Sequence, residues 1–180
     1  MTKITTQIGK VIWFTGLSGA GKTTLANGLY KRLRKLQVSS VILDGDILRK
    51  NVNTDLGFSL QDRRENIRRT AEIAKMLAEQ NIYVLVGLIT PKEEFREMAK
   101  TIVEEGVEFQ MVYVKTSLST CQNRDVKGLY ALAGSGKLKS FTGISSIFEE
   151  PKDVDLIIPT EKYSIDLCIE KLLNSVVRYC

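Results

Sequence analysis

Residues 15–24, TGLSGAGKTT, have the composition of a loop that holds a phosphate group. Gly16 to Thr23 fit the pattern G-x-x-x-x-G-K-[ST], which occurs where a strand leads through a glycine-rich loop into a helix. Glycines let successive backbone N–H groups turn around an anion, and the helix N-terminus adds the positive end of its dipole. The pattern assigns Lys22 to the β- and γ-phosphates and the Thr23 hydroxyl to Mg²⁺. The predicted nucleotide-binding residues of this phosphate-binding loop (P-loop) are Gly16, Ser18, Gly19, Ala20, Gly21, Lys22, Thr23 and Thr24.

Kinases, GTPases and ATPase motors all use such a loop, and the rest of the chain separates them. No N-K-x-D motif for guanine occurs, and the third apolar segment ends in GLITP, without the Asp that holds Mg²⁺ in motors. The second apolar segment instead ends in Asp44-Gly45-Asp46, at the edge of a parallel sheet where ligands gather. Asp46 could orient an incoming hydroxyl and accept its proton during phosphoryl transfer, whereas Asp44 fits a structural turn equally well. The pattern favours a kinase.

The segment 59–80 has helical periodicity, and it carries polar side chains on its apolar face. At about 100° per residue, Arg63 and Asn66 share that face with five apolar residues: Ile67, Ala71, Ala74, Leu77 and Ala78. A buried cation and a buried amide need partners, because burying them unpaired is costly. The partners are either internal carboxylates or a polar anionic ligand, and we favour the ligand. Arg64, Arg68 and Arg69 are more typical of a solvated face.

Two phenylalanines stand near these polar groups. Phe58 precedes the helical segment, and Phe141 lies in a glycine-rich stretch further along the chain. A single Phe ordinarily belongs to the core, but two aromatic faces can also clamp a planar base between them.

Composition restricts the possible chemistry and location. The 180 residues include no histidine, so acid–base work falls to carboxylates, lysine or water. Three widely spaced cysteines, with no C-x-x-C, argue for free thiols in a reducing compartment. The net charge of +5 fits an anionic ligand, but no basic run interleaved with aromatics indicates nucleic acid. No apolar run is long enough for a membrane span, and no signal-peptide pattern precedes the first strand, so we expect a cytoplasmic protein.

The elements that position these residues alternate along the chain. Continuously apolar segments predict strands, and segments of helical periodicity predict helices between them. The predicted strands are 10–15, 39–46, 82–89, 108–115 and 154–160, and the predicted helices are 22–37, 59–80, 91–105, 117–124 and 163–178. Strands that are apolar on both faces indicate a parallel sheet covered by helices on both sides. We therefore predict an α/β fold of the P-loop nucleoside-triphosphate kinase type, with a five-stranded parallel sheet, as one domain over residues 1–180.

Residues 125–150 interrupt this alternation with four glycines. A connection of this length inside a compact domain is typical of a binding loop. We predict a lid here, defined as residues 125–150, that orders over bound nucleotides and excludes water.

Five stretches together resemble the adenylylsulfate (APS) kinase family. GLSGAGKTT, LDGDILR, LGFSLQDRRENIRR, RDVKGLY and KSFTGI occur in the family's order and spacing, and the resemblance covers about residues 9–175. It implies transfer of the γ-phosphate of MgATP to the 3′-hydroxyl of adenosine 5′-phosphosulfate (APS), which gives PAPS for sulfate assimilation. It also implies a homodimer.

The resemblance further implies a role for each matching residue. Asp46, Lys22 and Lys127 would be catalytic, with Asp46 near the acceptor hydroxyl and Lys127 contacting both substrates. Arg124 would lie near the ATP adenine. The substrate-binding residues would be Asp46, Arg49, Phe58, Arg63, Asn66, Ile89, Thr90, Lys127 and Phe141. Among these, Arg49, Arg63 and Asn66 would bind the phosphosulfate, and the two phenylalanines the adenine of APS.

One segment departs from the family. The family usually has Ser-Pro-Tyr/Phe-Arg after the third strand, whereas this chain has Thr90-Pro91-Lys92-Glu93, and Leu132 stands where a lysine is common. A glutamate that pointed into an anion pocket would repel a dianionic substrate. The departure leaves open a kinase of the same fold that acts on another nucleotide-linked hydroxyl, such as a modified CDP intermediate of surface-polysaccharide biosynthesis. Retention of Phe58 and Phe141 favours APS.

Overall fold

The computed structural model describes residues 8–135 and 141–177, and within them strands alternate with helices. The strands are β1 (Lys10–Thr15), β2 (Ser40–Asp44), β3 (Tyr83–Gly87), β4 (Glu108–Lys115) and β5 (Leu156–Pro159). The helices are α1 (Lys22–Lys35), α2 (Gly45–Asn51), α3 (Leu60–Ala78), α4 (Glu93–Glu104), α5 (Leu118–Arg124), α6 (Leu129–Gly134) and α7 (Ile165–Val176).

The five strands form one parallel sheet in the order β2-β3-β1-β4-β5, which confirms the predicted fold class. The register brings the functional segments together. Asp44 at the end of β2 lies opposite Gly87 at the end of β3, and Gly87 lies opposite Phe14, one residue before the end of β1. The P-loop, the Asp44-Gly45-Asp46 turn and the turn after β3 therefore leave the sheet at one edge, side by side.

Alternate residues of the central strand β1 face opposite layers of helices. Ile12 and Phe14 pack with α1 and α7, and Val11 and Trp13 pack with α3 and α4. All four side chains are completely buried. This arrangement explains why the strands are continuously apolar in sequence, because both faces of the sheet are covered.

Two helices depart from the predictions. Residues 45 and 46, predicted as the end of a strand, instead begin α2, because the Asp44 side chain accepts from the Asp46 N–H at 3.0 Å and caps the helix. The segment 125–150 contains the short helix α6, and its residues 136–140 lie outside the described part of the chain. α7 ends at Val176, and residue 178, the last of the predicted helix 163–178, also lies outside the described part of the chain.

Within residues 8–135 and 141–177, no helix combines the length and the apolar composition that a bilayer crossing requires.

Candidate active site

The P-loop uses glycine where other residues would be strained. The φ angle of Gly21 is +110°, in the left-handed region. The φ angle of Gly16 is +143°, and a Cβ there would lie 2.6 Å from the carbonyl oxygen of Val114. The backbone conformation of the loop therefore requires both glycines.

The N-terminus of α1 is left open to an anion. Gly21 occupies the N-cap position without a side-chain hydrogen bond, and the first turn of α1 has no acidic residue. By contrast, Asp44, Ser59, Ser117 and Ser164 cap α2, α3, α5 and α7 with their side chains. In the part of the chain that the structure describes, no side-chain cap competes with a phosphate at the N-terminus of α1, and the helix dipole favours a negative group there.

The side chain of Lys22, the first residue of α1, folds back onto the P-loop. Its Nζ donates to the carbonyl oxygens of Gly16 at 2.8 Å and Leu17 at 2.7 Å. Burial lowers the pKa of Lys22 to about 8, despite the carboxylates of Asp44 and Asp46 nearby. A phosphate bound at the N-terminus of α1 would place a full negative charge next to this ammonium and would stabilise its charged form.

Thr23 and Asp44 form an oxygen-rich pair beside the loop. The Thr23 hydroxyl donates to Oδ2 of Asp44 at 2.9 Å, while Oδ1 of Asp44 caps α2. Mg²⁺ prefers oxygen ligands and is usually held by one or two protein oxygens together with substrate phosphates, so the pair fits this ion. No group of three or more Cys, Asp or Glu suited to a metal occurs among the residues that the structure describes. The nucleotide would therefore have to supply further ligands.

Sequence reasoning did not assign Asp44 to the site, leaving it as a possible turn carboxylate. The available signal was its position at the end of a strand, but its contact with Thr23 depends on the order of the strands.

Asp46 and Lys127 meet across the opening of the site. The Lys127 ammonium forms an ion pair with Oδ2 of Asp46, and both side chains are more than half exposed. The two residues that the resemblance places near the transferred phosphate are therefore brought together and accessible. Asp125 supports Lys127, because its carboxylate accepts from the N–H groups of Tyr130 at 3.1 Å and Ala131 at 3.0 Å and so caps α6.

Arg124, just before the lid, and Tyr130, within it, are both hydrogen-bonded to the P-loop. Arg124 Nη1 donates to the carbonyl oxygen of Ala20 at 3.3 Å and to the Thr160 hydroxyl at 3.2 Å. The Tyr130 hydroxyl donates to the carbonyl oxygen of Ser18 at 3.0 Å. Asp125, Tyr130 and Thr160 were not predicted from the sequence: Tyr130 and Thr160 contact segments that are distant in the sequence, and Asp125 caps a helix too short to show a periodic pattern.

Two guanidinium groups flank Phe58. The Cζ atoms of Arg49 and Arg63 lie 4.5 and 5.6 Å from its ring centroid. Arg49 donates to the carbonyl oxygen of Gly57 at 2.6 Å, and Arg63 Nε donates to that of Phe58 at 3.0 Å. Burial lowers the pKa of both arginines, and the charge of Arg49 lowers that of Arg63 further. An anion between them would stabilise both charged forms.

The burial that the helical projection predicted for α3 is confirmed. Arg63 and Asn66 are 8% and 2% exposed. One partner of Asn66 is internal, because its Oδ1 accepts from Nδ2 of Asn53 at 2.9 Å. Arg68 and Arg69 form ion pairs with Glu65 on the outer face, as expected of a solvated surface.

The two predicted adenine-binding phenylalanines have different surroundings. Phe58 is 58% exposed, whereas Phe141 packs edge-on against Tyr130 with ring centroids 5.0 Å apart. Among the described residues, no ring contact joins Phe58 to Phe141. The aromatic clamp stays a prediction about the substrate-bound protein.

Ile89 and Thr90 form a turn beside the P-loop. The Ile89 carbonyl oxygen accepts from the Thr15 hydroxyl at 2.7 Å and from the Gly16 N–H at 3.3 Å. The Thr90 hydroxyl accepts from the Trp13 indole at 2.9 Å, and Thr90 has a positive φ of 44°. The two residues predicted to bind the phosphate acceptor are thus held by hydrogen bonds to the end of β1 and the start of the P-loop.

Glu93, the residue that departs from the family, is paired. Its carboxylate accepts from Nε of Arg96 at 3.2 Å and from Nη2 at 2.5 Å. Its charge is compensated by a cation one turn along α4, which removes the reason to expect repulsion of a dianionic substrate.

Comparison with known proteins agrees with this geometry. The sequence model of the adenylylsulphate kinase family matches residues 8–159. An adenylyl-sulfate kinase of Paraburkholderia xenovorans is 46% identical over 169 residues, which cover 94% of this chain and 93% of the relative.

Solved structures agree as well. The APS kinase of Mycobacterium tuberculosis in complex with AMPPNP and APS superposes with a TM-score of 0.91 at 41% identity, covering 93% of this chain and 97% of that one. A hexameric APS kinase from Thiobacillus denitrificans superposes with a TM-score of 0.71 at 26% identity, covering 95% of this chain and 29% of that one. The open P-loop helix, the carboxylates beside it and these likenesses together show that the chain belongs to the adenylylsulfate kinase family.

Proposed function

We propose that the protein transfers the γ-phosphate of ATP to the 3′-hydroxyl of APS and so makes PAPS. The observation that carries this conclusion is the meeting of three features at one edge of the sheet. They are a P-loop helix with an open N-terminus, the accessible carboxylate of Asp46, and the half-buried Arg49 and buried Arg63 next to Phe58.

On the donor side, the P-loop amides and Lys22 would bind the β- and γ-phosphates of ATP. The complete set is Gly16, Ser18, Gly19, Ala20, Gly21, Lys22, Thr23 and Thr24. The lowered pKa of Lys22 is consistent with an ammonium placed to receive an anion. Arg124 already lies against Gly19 and Ala20, where it could cover the nucleotide from the lid side.

Mg²⁺ would be held by the Thr23 hydroxyl, with Asp44 next to it and nucleotide oxygens completing its coordination. When bound, the ion supplies positive charge that neutralises the transferring phosphoryl group.

On the acceptor side, Arg49, Arg63 and Asn66 would bind the phosphosulfate. Phe58 and Phe141 would take the adenine, and the turn at Ile89 and Thr90 would border it. Two positive charges and a carboxamide suit a phosphosulfate better than a neutral sugar, because each guanidinium can donate two parallel hydrogen bonds to an oxyanion.

The transfer itself would use Asp46 and Lys127. Asp46 accepts the proton of the 3′-hydroxyl as the oxygen attacks the γ-phosphorus, and the bond to the β-phosphate oxygen breaks. Lys127, which is paired with Asp46 in this structure, would turn its ammonium towards the transferred group. The lid would exclude water, which otherwise competes with the acceptor.

Two properties of the whole protein belong to the same proposal. A reducing, cytoplasmic location is supported by Cys121 and Cys168, which are free thiols, while Cys180 lies outside the described residues. A homodimer is supported by the family resemblance, although a hexameric relative exists.

The acceptor can be tested by measuring ADP release from MgATP in the presence of APS or of a panel of nucleotides that includes CDP derivatives. We expect turnover with APS at micromolar concentration and none with cytidine nucleotides. Turnover with a CDP derivative but not with APS would overturn the proposal. Pairing of Glu93 with Arg96 makes APS the expected acceptor despite the departure from the family.

A further inference from the structure

We infer that Arg96 is a positioning residue that fastens the acceptor turn to the C-terminal anchor of the lid. The acceptor turn is residues 89–91, and the lid anchor is residues 148–150. This inference rests on the proposed function, since it assigns the structural support of the acceptor side of that same site.

The location of Arg96 is unusual for a cation. It lies in the first turn of α4, where the helix dipole disfavours positive charge, and it is only 2% exposed. A buried guanidinium is costly unless hydrogen bonds and an opposite charge compensate it. The contacts that compensate Arg96 therefore indicate what the residue does.

Those contacts join three segments. Nη1 donates to the Thr90 carbonyl oxygen at 2.9 Å, and Nη2 donates to the Glu149 carbonyl oxygen at 2.9 Å. Nε and Nη2 both donate to the carboxylate of Glu93, which supplies the opposite charge. A planar guanidinium can hold all three partners at once, whereas a lysine ammonium cannot reproduce its fork.

The lid anchor makes further contacts with the same turn and helix. The Glu149 N–H donates to the Pro91 carbonyl oxygen at 2.8 Å. The Glu149 carboxylate accepts from the Glu93 N–H at 2.8 Å and so caps α4, whose N-cap residue Lys92 makes no side-chain cap bond. Phe148 stacks on Tyr113 with ring centroids 6.1 Å apart. The anchor is thus fixed to the acceptor turn, to the N-terminus of α4 and to β4.

The acceptor turn depends on this support. Thr90 has a positive φ, which is unfavourable for a β-branched residue and persists only where surrounding contacts impose it. Thr15 and Trp13 hold the turn from β1, and the Thr90 carbonyl oxygen accepts from Arg96 Nη1 at 2.9 Å and from the Thr15 hydroxyl only at 3.4 Å. Without Arg96 the turn can relax away from the P-loop, and the acceptor loses a fixed wall of its site.

The experiment compares Arg96→Lys and Arg96→Met with Lys10→Met in the full-length protein. Lys10 is a suitable control because it is also a buried cation, 5% exposed, and it pairs with Glu108 at the other end of the sheet. The measurements are KM for APS, KM for MgATP and the melting temperature. A fourth is the emission of Trp13, the only tryptophan, which bonds Thr90.

For Arg96→Met we expect KM for APS to rise roughly tenfold, with KM for MgATP within about twofold, because only the acceptor side is displaced. Arg96→Lys should show a smaller rise, and both variants should shift the Trp13 emission. Lys10→Met should lower the melting temperature and leave both KM values and the Trp13 emission unchanged.

The inference is overturned if Arg96 variants lower the melting temperature as Lys10→Met does but leave KM for APS and the Trp13 emission unchanged. If the wild-type protein shows no APS-dependent turnover, the proposed function fails. The role of Arg96 is then decided by the Trp13 emission of the ligand-free variants: a shifted emission supports it, and an unchanged emission contradicts it. If Arg96→Met does not fold, Arg96→Lys decides alone, because it keeps the charge but cannot reproduce the hydrogen bonds of the guanidinium to Thr90, Glu149 and Glu93. A rise of KM for APS with a shifted Trp13 emission in Arg96→Lys supports the inference, and unchanged values contradict it.

Discussion

Single ionisable residues would set the chemistry of the proposed reaction, and Lys22 gives the first prediction. Its pKa is lowered to about 8 by burial, so the free protein loses the ammonium as the pH rises through that value. Because the phosphates of ATP require the charged form, kcat/KM for ATP should fall above about pH 8, up to roughly tenfold per pH unit. The pH profile of Lys22→Arg is the control, since a guanidinium stays charged. An identical alkaline decrease in that variant would show that another group titrates.

Asp46 carries the proton transfer in our account. Asp46→Asn keeps the size of the side chain but cannot accept the proton, so we expect kcat to fall by a factor on the order of 10² to 10⁴. KM for ATP should change little. Asp153→Asn is the matched control, because this carboxylate is 89% exposed and pairs only loosely with Lys100. Retention of normal kcat in Asp46→Asn would remove Asp46 from the mechanism.

Site residues could be predicted from the sequence where a local pattern contains them, and could not where their partners are distant in the sequence. Lys22 and Thr23 follow from a local pattern, and the burial of Arg63 and Asn66 follows from helical periodicity. The bond between Thr23 and Asp44 depends on which strands are neighbours, and no local pattern contains that information.

Among the elements, the short helix α6 begins two residues after Lys127, and the carboxylate of Asp125 accepts from two of its N–H groups. Asp125→Ala would leave the N–H groups of Tyr130 and Ala131 without their carboxylate, at a cost of about 1 kcal/mol. We expect faster proteolysis within 125–150, a lower kcat and more ATP hydrolysis without acceptor.

The control for this variant is Ser164→Ala, which removes the side-chain cap of α7 far along the chain. It should cost similar stability and leave kcat unchanged. Equal effects of the two variants on kcat would show that α6 acts through stability alone.

The long helices were predictable from the sequence, and so was the short helix α5, predicted at 117–124 and found at Leu118–Arg124, but the short helices α2 and α6 were not. α1, α3 and α4 each bury an apolar face that repeats along the sequence. α2 and α6 have seven and six residues, too few for a repeat, and their N-termini depend on carboxylates of Asp44 and Asp125. The physical signal for such helices is a cap rather than a period.

For the whole molecule, continuous apolar segments were sufficient to predict a five-stranded parallel sheet with helices on both faces. They were not sufficient to predict the order β2-β3-β1-β4-β5, because every strand has the same apolar character. That order places the P-loop next to both Asp44 and Ile89, and it therefore decides which residues can share a site.

The proposed homodimer is a property at the same scale. Light scattering coupled to gel filtration should give a mass of twice 20.2 kDa at micromolar concentration. A mass of one subunit, or the six subunits of the hexameric relative, would contradict the dimer without affecting the proposed reaction.

Identifying the product tests the proposed reaction most directly. The protein would be incubated with MgATP and APS, and the nucleotides analysed by phosphorus NMR and mass spectrometry. We predict that APS gains one phosphate on its 3′-oxygen and that one ADP appears for each molecule formed. ADP without phosphorylated APS, or a phosphate at any other position of APS, would contradict the account.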